Sequence, residues 1–196
     1  MGLSRHKPAV FTGTPKARGR YIAERRKDMK RESIIHPIPA TYDENSRILI
    51  LGSFPSAKSR KMGYYYGNPK NRFWQVVAAL YGEKTPETVG QRRAFLLRSG
   101  IAAWDVVASC TIEGAADSSI RDVAANDLSP ILSRARIETI FCNGRTAHDL
   151  YCRFIEPETG VPAVFLPSTS PANAAWTLPR LIEAWREAGV GPRVLR

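Results

Sequence analysis

Four short apolar runs, residues 47–51 (RILIL), 101–107 (IAAWDVV), 137–142 (IETIFC) and 163–166 (AVFL), constrain this chain more than any other feature. They are too short for buried helices. They also lack the strict apolar/polar alternation of a strand with one wet face, so they read as strands covered on both sides. Between them lie stretches with apolar residues at helical spacing, at 72–81, 88–99, 128–135, 146–154 and 178–188. Strands alternating with helices imply an α/β fold, a three-layer α/β/α sandwich around a mostly parallel central sheet. No internal repeat is present.

In such a sheet the ligand crevice lies beyond the carboxyl ends of the strands. The segments there are 52–71, 108–119, 143–146 and 167–173, all rich in Ser, Asn, Gly or Pro. They are expected to converge on one site. The first runs on into the next helix as GSFPSAKSRKMGYYYGNPKNRFW, residues 52–74. A connection of this length inside a compact domain is uncommon and usually functional. Tyr64, Tyr65 and Tyr66 offer flat apolar faces, and Lys58, Arg60, Lys61, Lys70 and Arg72 offer cations. That combination stacks bases and holds phosphates.

The formal net charge of +11 over 196 residues favours a polyanionic partner, but the excess is uneven. Residues 1–36 hold ten Lys/Arg and three Asp/Glu, which puts +7 in a segment with few apolar residues. We read 1–36 as a flexible basic arm, 37–190 as the domain proper and 191–196 as a tail. Cys110, Cys142 and Cys152 form no CxxC pair, which suits a reducing cytoplasm and argues against a four-cysteine cluster. His6, His36 and His148 lack metal-ligand spacing, so neither a metal nor another cofactor is expected. No apolar run approaches the roughly 20 residues needed to cross a bilayer, so no membrane partner is expected. No GxGxxG or GxxxxGK[ST] follows any strand, which weighs against a nucleotide-binding enzyme.

Two segments resemble a known family. Gly52-Ser-Phe-Pro-Ser56 with Tyr65-Tyr66-Gly-Asn-Pro-Lys-Asn-Arg-Phe-Trp74 resembles the first motif of the uracil-DNA glycosylase superfamily, in its hypoxanthine-DNA (deoxyinosine) glycosylase branch. Leu166-Pro-Ser-Thr-Ser-Pro-Ala-Asn173 resembles the second motif. Trp104-Asp-Val-Val-Ala-Ser-Cys110 and Asp117-Ser-Ser-Ile120 are also similar to that branch, and the resemblance covers roughly 38–188. One departure is informative. The mismatch-specific branch carries a water-positioning asparagine two residues after the glycine, where this chain has Phe54. The resemblance therefore implies removal of a deaminated purine rather than uracil excision by that route.

It further implies roles for individual residues. Tyr66 stands where relatives carry a base-stacking aromatic, and Gly52, Ser53 and Phe54 would complete the base pocket, the first two through backbone N–H groups. Asn71 is the expected catalytic asparagine and Asn68 the second choice. An amide is no base at neutral pH, but it can orient water toward C1′ or donate to a purine acceptor. Asn71 also directly precedes a helix, where asparagine is a preferred cap, so capping and catalysis both stay open. Tyr66 likewise fits a packed core tyrosine. Ser56, Lys58 and Arg145 are expected on DNA, Arg145 beside a helix N-terminus. Ser168, Ser170, Pro171 and Asn173 belong to the loop that in relatives enters the minor groove. Ser118 and Ser119 fit either a phosphate contact or a helix cap, and Asp105 either the site or an ordinary loop. The expected partner is double-stranded DNA, with single strands left open, acted on by a monomer. The competing reading is a non-catalytic nucleic-acid-binding domain that uses the same stacking loop.

Overall fold

The structure, a computed structural model, describes residues 32–112 and 120–192. Its strands are β1 (Glu32–Ile35), β2 (Ile48–Gly52), β3 (Ile101–Asp105), β4 (Val107–Ile112), β5 (Ile120–Ala125), β6 (Thr139–Asn143) and β7 (Ala163–Leu166). Its helices are α1 (Ala57–Met62), α2 (Phe73–Leu80), α3 (Val89–Arg98), α4 (Ser129–Arg134), α5 (Arg145–Phe154), α6 (Glu156–Thr159) and α7 (Leu178–Glu187).

The central sheet is parallel throughout, in the order β3-β2-β6-β7. Strand side chains alternate between faces, so Ile50 enters one core and Leu49 and Leu51 the other. All three are fully buried, each worth about 1.5–3 kcal/mol of burial free energy. Helices α2, α3 and α7 cover the Ile50 face with Phe73, Val77, Phe95, Leu96, Leu181 and Trp185. Helices α4 and α5 cover the other through Ile131, Ala147 and Tyr151. These are the three layers expected from the runs.

Three features depart from the sequence reading. The run 101–107 is not one strand: β3 stops at Asp105, and the Val106 and Val107 amides bond back to the Gly52 and Ser53 carbonyls. The chain then enters a second, antiparallel sheet, β1-β4-β5. Val107 and Cys110 both face the core although three residues apart, because register shifts in the β4–β5 ladder break the period of two. The segment 108–119 is therefore β4 up to Ile112 rather than a site loop. Asp117, Ser118 and Ser119 lie outside the described residues, as do 1–31 and 193–196. Second, residues 32–36 belong to the fold rather than to the arm, since β1 pairs with β4 from Glu32↔Ile112 to Ile35↔Ser109. Third, the long connection contains α1. Its Ser56 hydroxyl accepts the Ser59 N–H at 3.2 Å, and Gly63, at φ 71°, ends it in the left-handed conformation.

Candidate active site

The carboxyl ends of β2, β3 and β6 and the segment after β7 surround a cavity of about 120 Å³. Gly52, Ser53, Phe54, Ser56, Tyr66, Asn68, Asn71, Ser168, Ser170 and Pro171, ten of the expected site residues, line it. Arg145 and Asn173 line an adjoining recess that shares Ser53, Ser168 and Ser170 with the first. Lys58 is exposed on α1 and lines neither.

The three tyrosines divide sharply. Tyr64 is buried and shares a hydrogen bond with the Thr41 hydroxyl at 3.1 Å, and Tyr65 is buried and donates to the Pro39 carbonyl at 2.6 Å. Tyr64 lies outside the cleft, and Tyr65 belongs to its wall as a buried residue rather than as an exposed stacking face. Tyr66 alone is partly exposed, stacked on Phe73 with centroids 3.7 Å apart and planes at 14°. Its backbone takes φ 51°, a conformation that costs a side-chain-bearing residue roughly 1–2 kcal/mol. The Phe73 stack holds that strained residue with its ring lining the cleft. The Tyr66 hydroxyl is buried without a hydrogen bond of normal geometry. Desolvation first, and the Asp105 carboxylate second, push its ionisation well above the ordinary phenol range. Gly52 lies against the same group: a Cβ there would stand 2.2 Å from Asp105 Oδ1 and 3.4 Å from the Tyr66 hydroxyl.

Asn71 has its oxygen committed. Oδ1 accepts the Phe73 N–H at 3.0 Å and the Thr169 hydroxyl at 2.9 Å. A backbone N–H can only donate, so the amide's orientation is decided by that bond. Both lone pairs of Oδ1 are thereby used, and the Nδ2 donors are what Asn71 offers to the cleft it lines. The N-cap of α2 is Arg72 rather than Asn71, which stands one residue earlier and uses its oxygen to accept the first helical N–H. Thr169, fully buried, is the hub: Asn143 Nδ2 donates to its hydroxyl at 2.9 Å, and its N–H donates to Asn143 Oδ1 at 3.0 Å. The chain Asn143→Thr169→Asn71 ties β6, the loop after β7 and the start of α2 together. Asn68 is more loosely placed, its Oδ1 accepting the Lys70 N–H at 3.1 Å.

Arg72 is engaged within the protein. Its guanidinium donates to the carbonyls of Thr169 at 3.3 Å, Ser170 at 2.7 Å and Asn173 at 3.1 Å, and also to that of Trp176. It braces the loop whose exposed tip is Pro171 and Ala172. Ser168 and Ser170 accept the Ser170 and Ala172 amides, and Asn173 Nδ2 donates to the Ser168 carbonyl at 2.9 Å, so their side chains shape the same turn. Arg145 is exposed at the rim, its guanidinium 4.4 Å from the Phe165 ring centroid. Among the described residues no group of three His, Cys, Asp or Glu side chains is placed to hold a metal ion.

A strand-end cleft with a stacking platform and an anchored amide is what the two sequence motifs imply, and comparison with known proteins decides the family. The family model described as the Uracil DNA glycosylase superfamily matches residues 39–189. The chain belongs to that superfamily. A Methanosarcina acetivorans protein named Hypoxanthine DNA glycosylase is 39% identical over 139 residues, 69% of this chain and 85% of that protein. A Methanosarcina barkeri protein of the same name is 36% identical over 109 residues, 55% of this chain and 69% of that one. The solution NMR structure of a candidate uracil DNA glycosylase from M. acetivorans superimposes with a TM-score of 0.66 at 34% identity, covering 79% of this chain and 99% of that one.

Within this uracil-DNA glycosylase superfamily member, the roles of one cleft residue, Thr169, and of two residues that support the cleft, Arg72 and His36, escaped the sequence reading. Thr169 sits inside the second motif but reads as one more small polar residue of a loop. Arg72 looked like one cation among five. His36 carried no signal: its Nε2 lies 2.8 Å from Asp105 Oδ2, across 69 residues of chain. His148, by contrast, packs edge-on against Phe165 at 5.9 Å, away from the cleft.

Proposed function

We propose that this superfamily member is a monofunctional DNA glycosylase that removes hypoxanthine from deoxyinosine in DNA and leaves an abasic site. Breaking the C1′–N9 bond sends its electron pair to the purine and leaves an oxocarbenium-like sugar. The base must be flipped out, gripped and stabilised as charge builds on it. The single observation that carries this reading is Asn71, which lines the same cleft as Tyr66 and whose oxygen is occupied, so that its amide nitrogen is the group it has left to offer. Such a group donates a hydrogen bond to an acceptor of the departing purine. It does not accept one from water, which narrows the two roles that the sequence left open.

The Tyr66 ring, backed by Phe73, is the stacking platform, a contact worth about 1–3 kcal/mol per base. That offsets much of the few kcal/mol that flipping costs. The Arg72-braced tip at Pro171 fills the vacated stack from the minor groove. Arg145 at the rim and Lys58, exposed on α1 outside the cleft, take phosphates, on duplex DNA and with one protein molecule per lesion. No lysine lines the cleft among the described residues, which supports hydrolysis over Schiff-base chemistry. The two Methanosarcina relatives named for hypoxanthine support the choice of base.

The test is a set of labelled duplexes and single strands, each with one deoxyinosine, deoxyuridine or deoxyxanthosine, cleaved with alkali after incubation. Strand scission at deoxyinosine well above deoxyuridine is expected. Efficient uracil release without hypoxanthine release would reverse the substrate assignment. Tight binding to every duplex with no abasic sites would establish the non-catalytic binding domain instead.

A further inference from the structure

Asp105 is the only carboxylate among the described residues lining the cleft, which otherwise presents amides, hydroxyls, aromatic rings and apolar groups. Its position works against DNA affinity, because a fixed anion in a groove meant for phosphates repels them. It also works against stability, since it is 5% exposed and a buried carboxylate is costly unless compensated. The compensation is specific. His36 Nδ1 accepts the Ile38 N–H at 3.2 Å, so the ring's proton resides on Nε2, which donates to Asp105 Oδ2 at 2.8 Å. The imidazole is fixed edge-on by Phe54 at 5.7 Å and Trp104 at 6.3 Å, and Trp104 Nε1 in turn donates to the Ile38 carbonyl. One carboxylate oxygen is thus held, and the other, Oδ1, fills the space that the missing Gly52 side chain leaves at the end of β2. No protein donor among the described residues reaches Oδ1. A base oriented by a third group, with its free atom in a cleft, is the arrangement that proton transfer requires.

We infer that Asp105 holds and deprotonates the attacking water, and that His36 is its positioning residue. The inference rests on the glycosylase reading above and supplies what Asn71 lacks. With its oxygen occupied, Asn71 serves the leaving base; Asp105 serves the nucleophile. As the C1′–N9 bond breaks, the water oxygen bonds to C1′ and one of its protons passes to Asp105 Oδ1. The departing purine takes up a proton from solvent, and Asp105 later returns its own. The same negative charge opposes the positive charge that develops on the sugar. Assigning these roles to two separate side chains also accounts for Phe54 at the position where the mismatch-specific branch carries its water-positioning asparagine. Here the water is held from the end of β3 and the residue that follows β1 instead.

The test is Asp105→Asn, which keeps the shape and still accepts the His36 Nε2–H. Three quantities are measured: single-turnover excision from a deoxyinosine duplex, affinity for a duplex carrying non-hydrolysable 2′-fluoro-deoxyinosine, and melting temperature. A loss of 10²–10⁴ in rate is expected, the usual range for a general base, with analogue affinity unchanged or tighter. Sodium formate should restore at least tenfold of the rate lost in Asp105→Ala and leave wild type unaffected, a response that a purely structural aspartate cannot give. His36→Gln, which retains a donor toward Asp105, should lose about tenfold in rate with no change in analogue affinity. Asp105→Asn within threefold of wild type, or a formate response of zero, overturns the inference and leaves the glycosylase reading intact. Wild type inactive on every damaged base removes both. Wild type active only on another deaminated base corrects the substrate, and the same variants are then read on that base.

Discussion

Replacing Asn71 by aspartate separates its two functions cleanly. The side chain keeps an oxygen where Oδ1 stands, so the bonds from the Phe73 N–H at 3.0 Å and the Thr169 hydroxyl at 2.9 Å both survive. Only the amide nitrogen is lost. A carboxylate just ahead of α2 also suits the positive end of the helix dipole, worth about 0.3–1 kcal/mol. Asn71→Asp should therefore melt at or slightly above the wild-type temperature. Asn71→Ala differs, because it removes the acceptor of the Phe73 N–H, worth about 1 kcal/mol, and leaves the buried Thr169 O–H without an acceptor at roughly 1–3 kcal/mol more. For a chain of this size each kcal/mol shifts the midpoint by about 2–4 °C, so the alanine variant should melt roughly 4–16 °C lower.

Catalysis should rank the two variants differently from stability. Both lack the donor, and losing one preorganised donor costs about 10²–10³ in rate, or 2.7–4 kcal/mol. Single-turnover excision from a deoxyinosine duplex, followed beside thermal melts, reads both axes. A stable, nearly inactive Asn71→Asp together with an unstable, nearly inactive Asn71→Ala is the expected pair. If Asn71→Asp retains excision within tenfold of wild type, the amide nitrogen is not the leaving-group donor and the argument from the occupied oxygen is wrong. The donor would then be sought at Asn68, which also lines the cleft.

Arg72→Lys cannot reproduce a planar fork to four carbonyls. Faster hydrogen exchange and proteolysis in residues 168–176, with about tenfold slower excision, are expected, and unchanged exchange would show that the loop holds itself. Gly52→Ala drives a methyl to 2.2 Å from Asp105 Oδ1, so a cost of about 1–3 kcal/mol in melting and a large fall in excision are expected. A normal rate in that variant would mean that the carboxylate does not need its present position. Deleting residues 1–31, with ten Lys/Arg against two Asp/Glu, should preserve folding and reduce the slope of log affinity against log salt by about 0.9 per lost phosphate contact. Deleting 1–36 instead removes β1 and His36, and should also lower the melting temperature and the excision rate. Equal behaviour of the two truncations would contradict the β1–β4 pairing.

The layered fold was legible because burial on both faces leaves a local trace. Residues 47–51 read as a strand from their apolar run, and β2 spans Ile48–Gly52 with Leu49, Ile50 and Leu51 fully buried. The run 163–166 is also a strand, β7, but exposes Val164 and Phe165 and so lacks the cover expected on both faces. The helix after the long connection was legible from its spacing, and α2 spans Phe73–Leu80 within the expected 72–81. The strand-end rule likewise brought Gly52, Asn71 and Ser168 to one cleft although more than a hundred positions separate the first from the last. In each case the signal is carried by neighbours along the chain.

What the tertiary structure decided is which polar neighbour points where. Asn71 and Arg72 are adjacent, polar and equally suited to the cleft by composition, yet both precede α2, and it is their separate hydrogen-bond partners that fix each side chain. Asn71 therefore faces the cleft, and Arg72 swings under the loop after β7. The pairing of β1 with β4 was invisible because hydrogen bonds across some 75 residues leave no periodicity in four residues of strand. His36 reaches Asp105 across 69 residues and Thr169 reaches Asn71 across 98. Such contacts depend on where separate elements are packed, and a short polar side chain reads the same in sequence whether it caps a turn, braces a loop or faces the substrate.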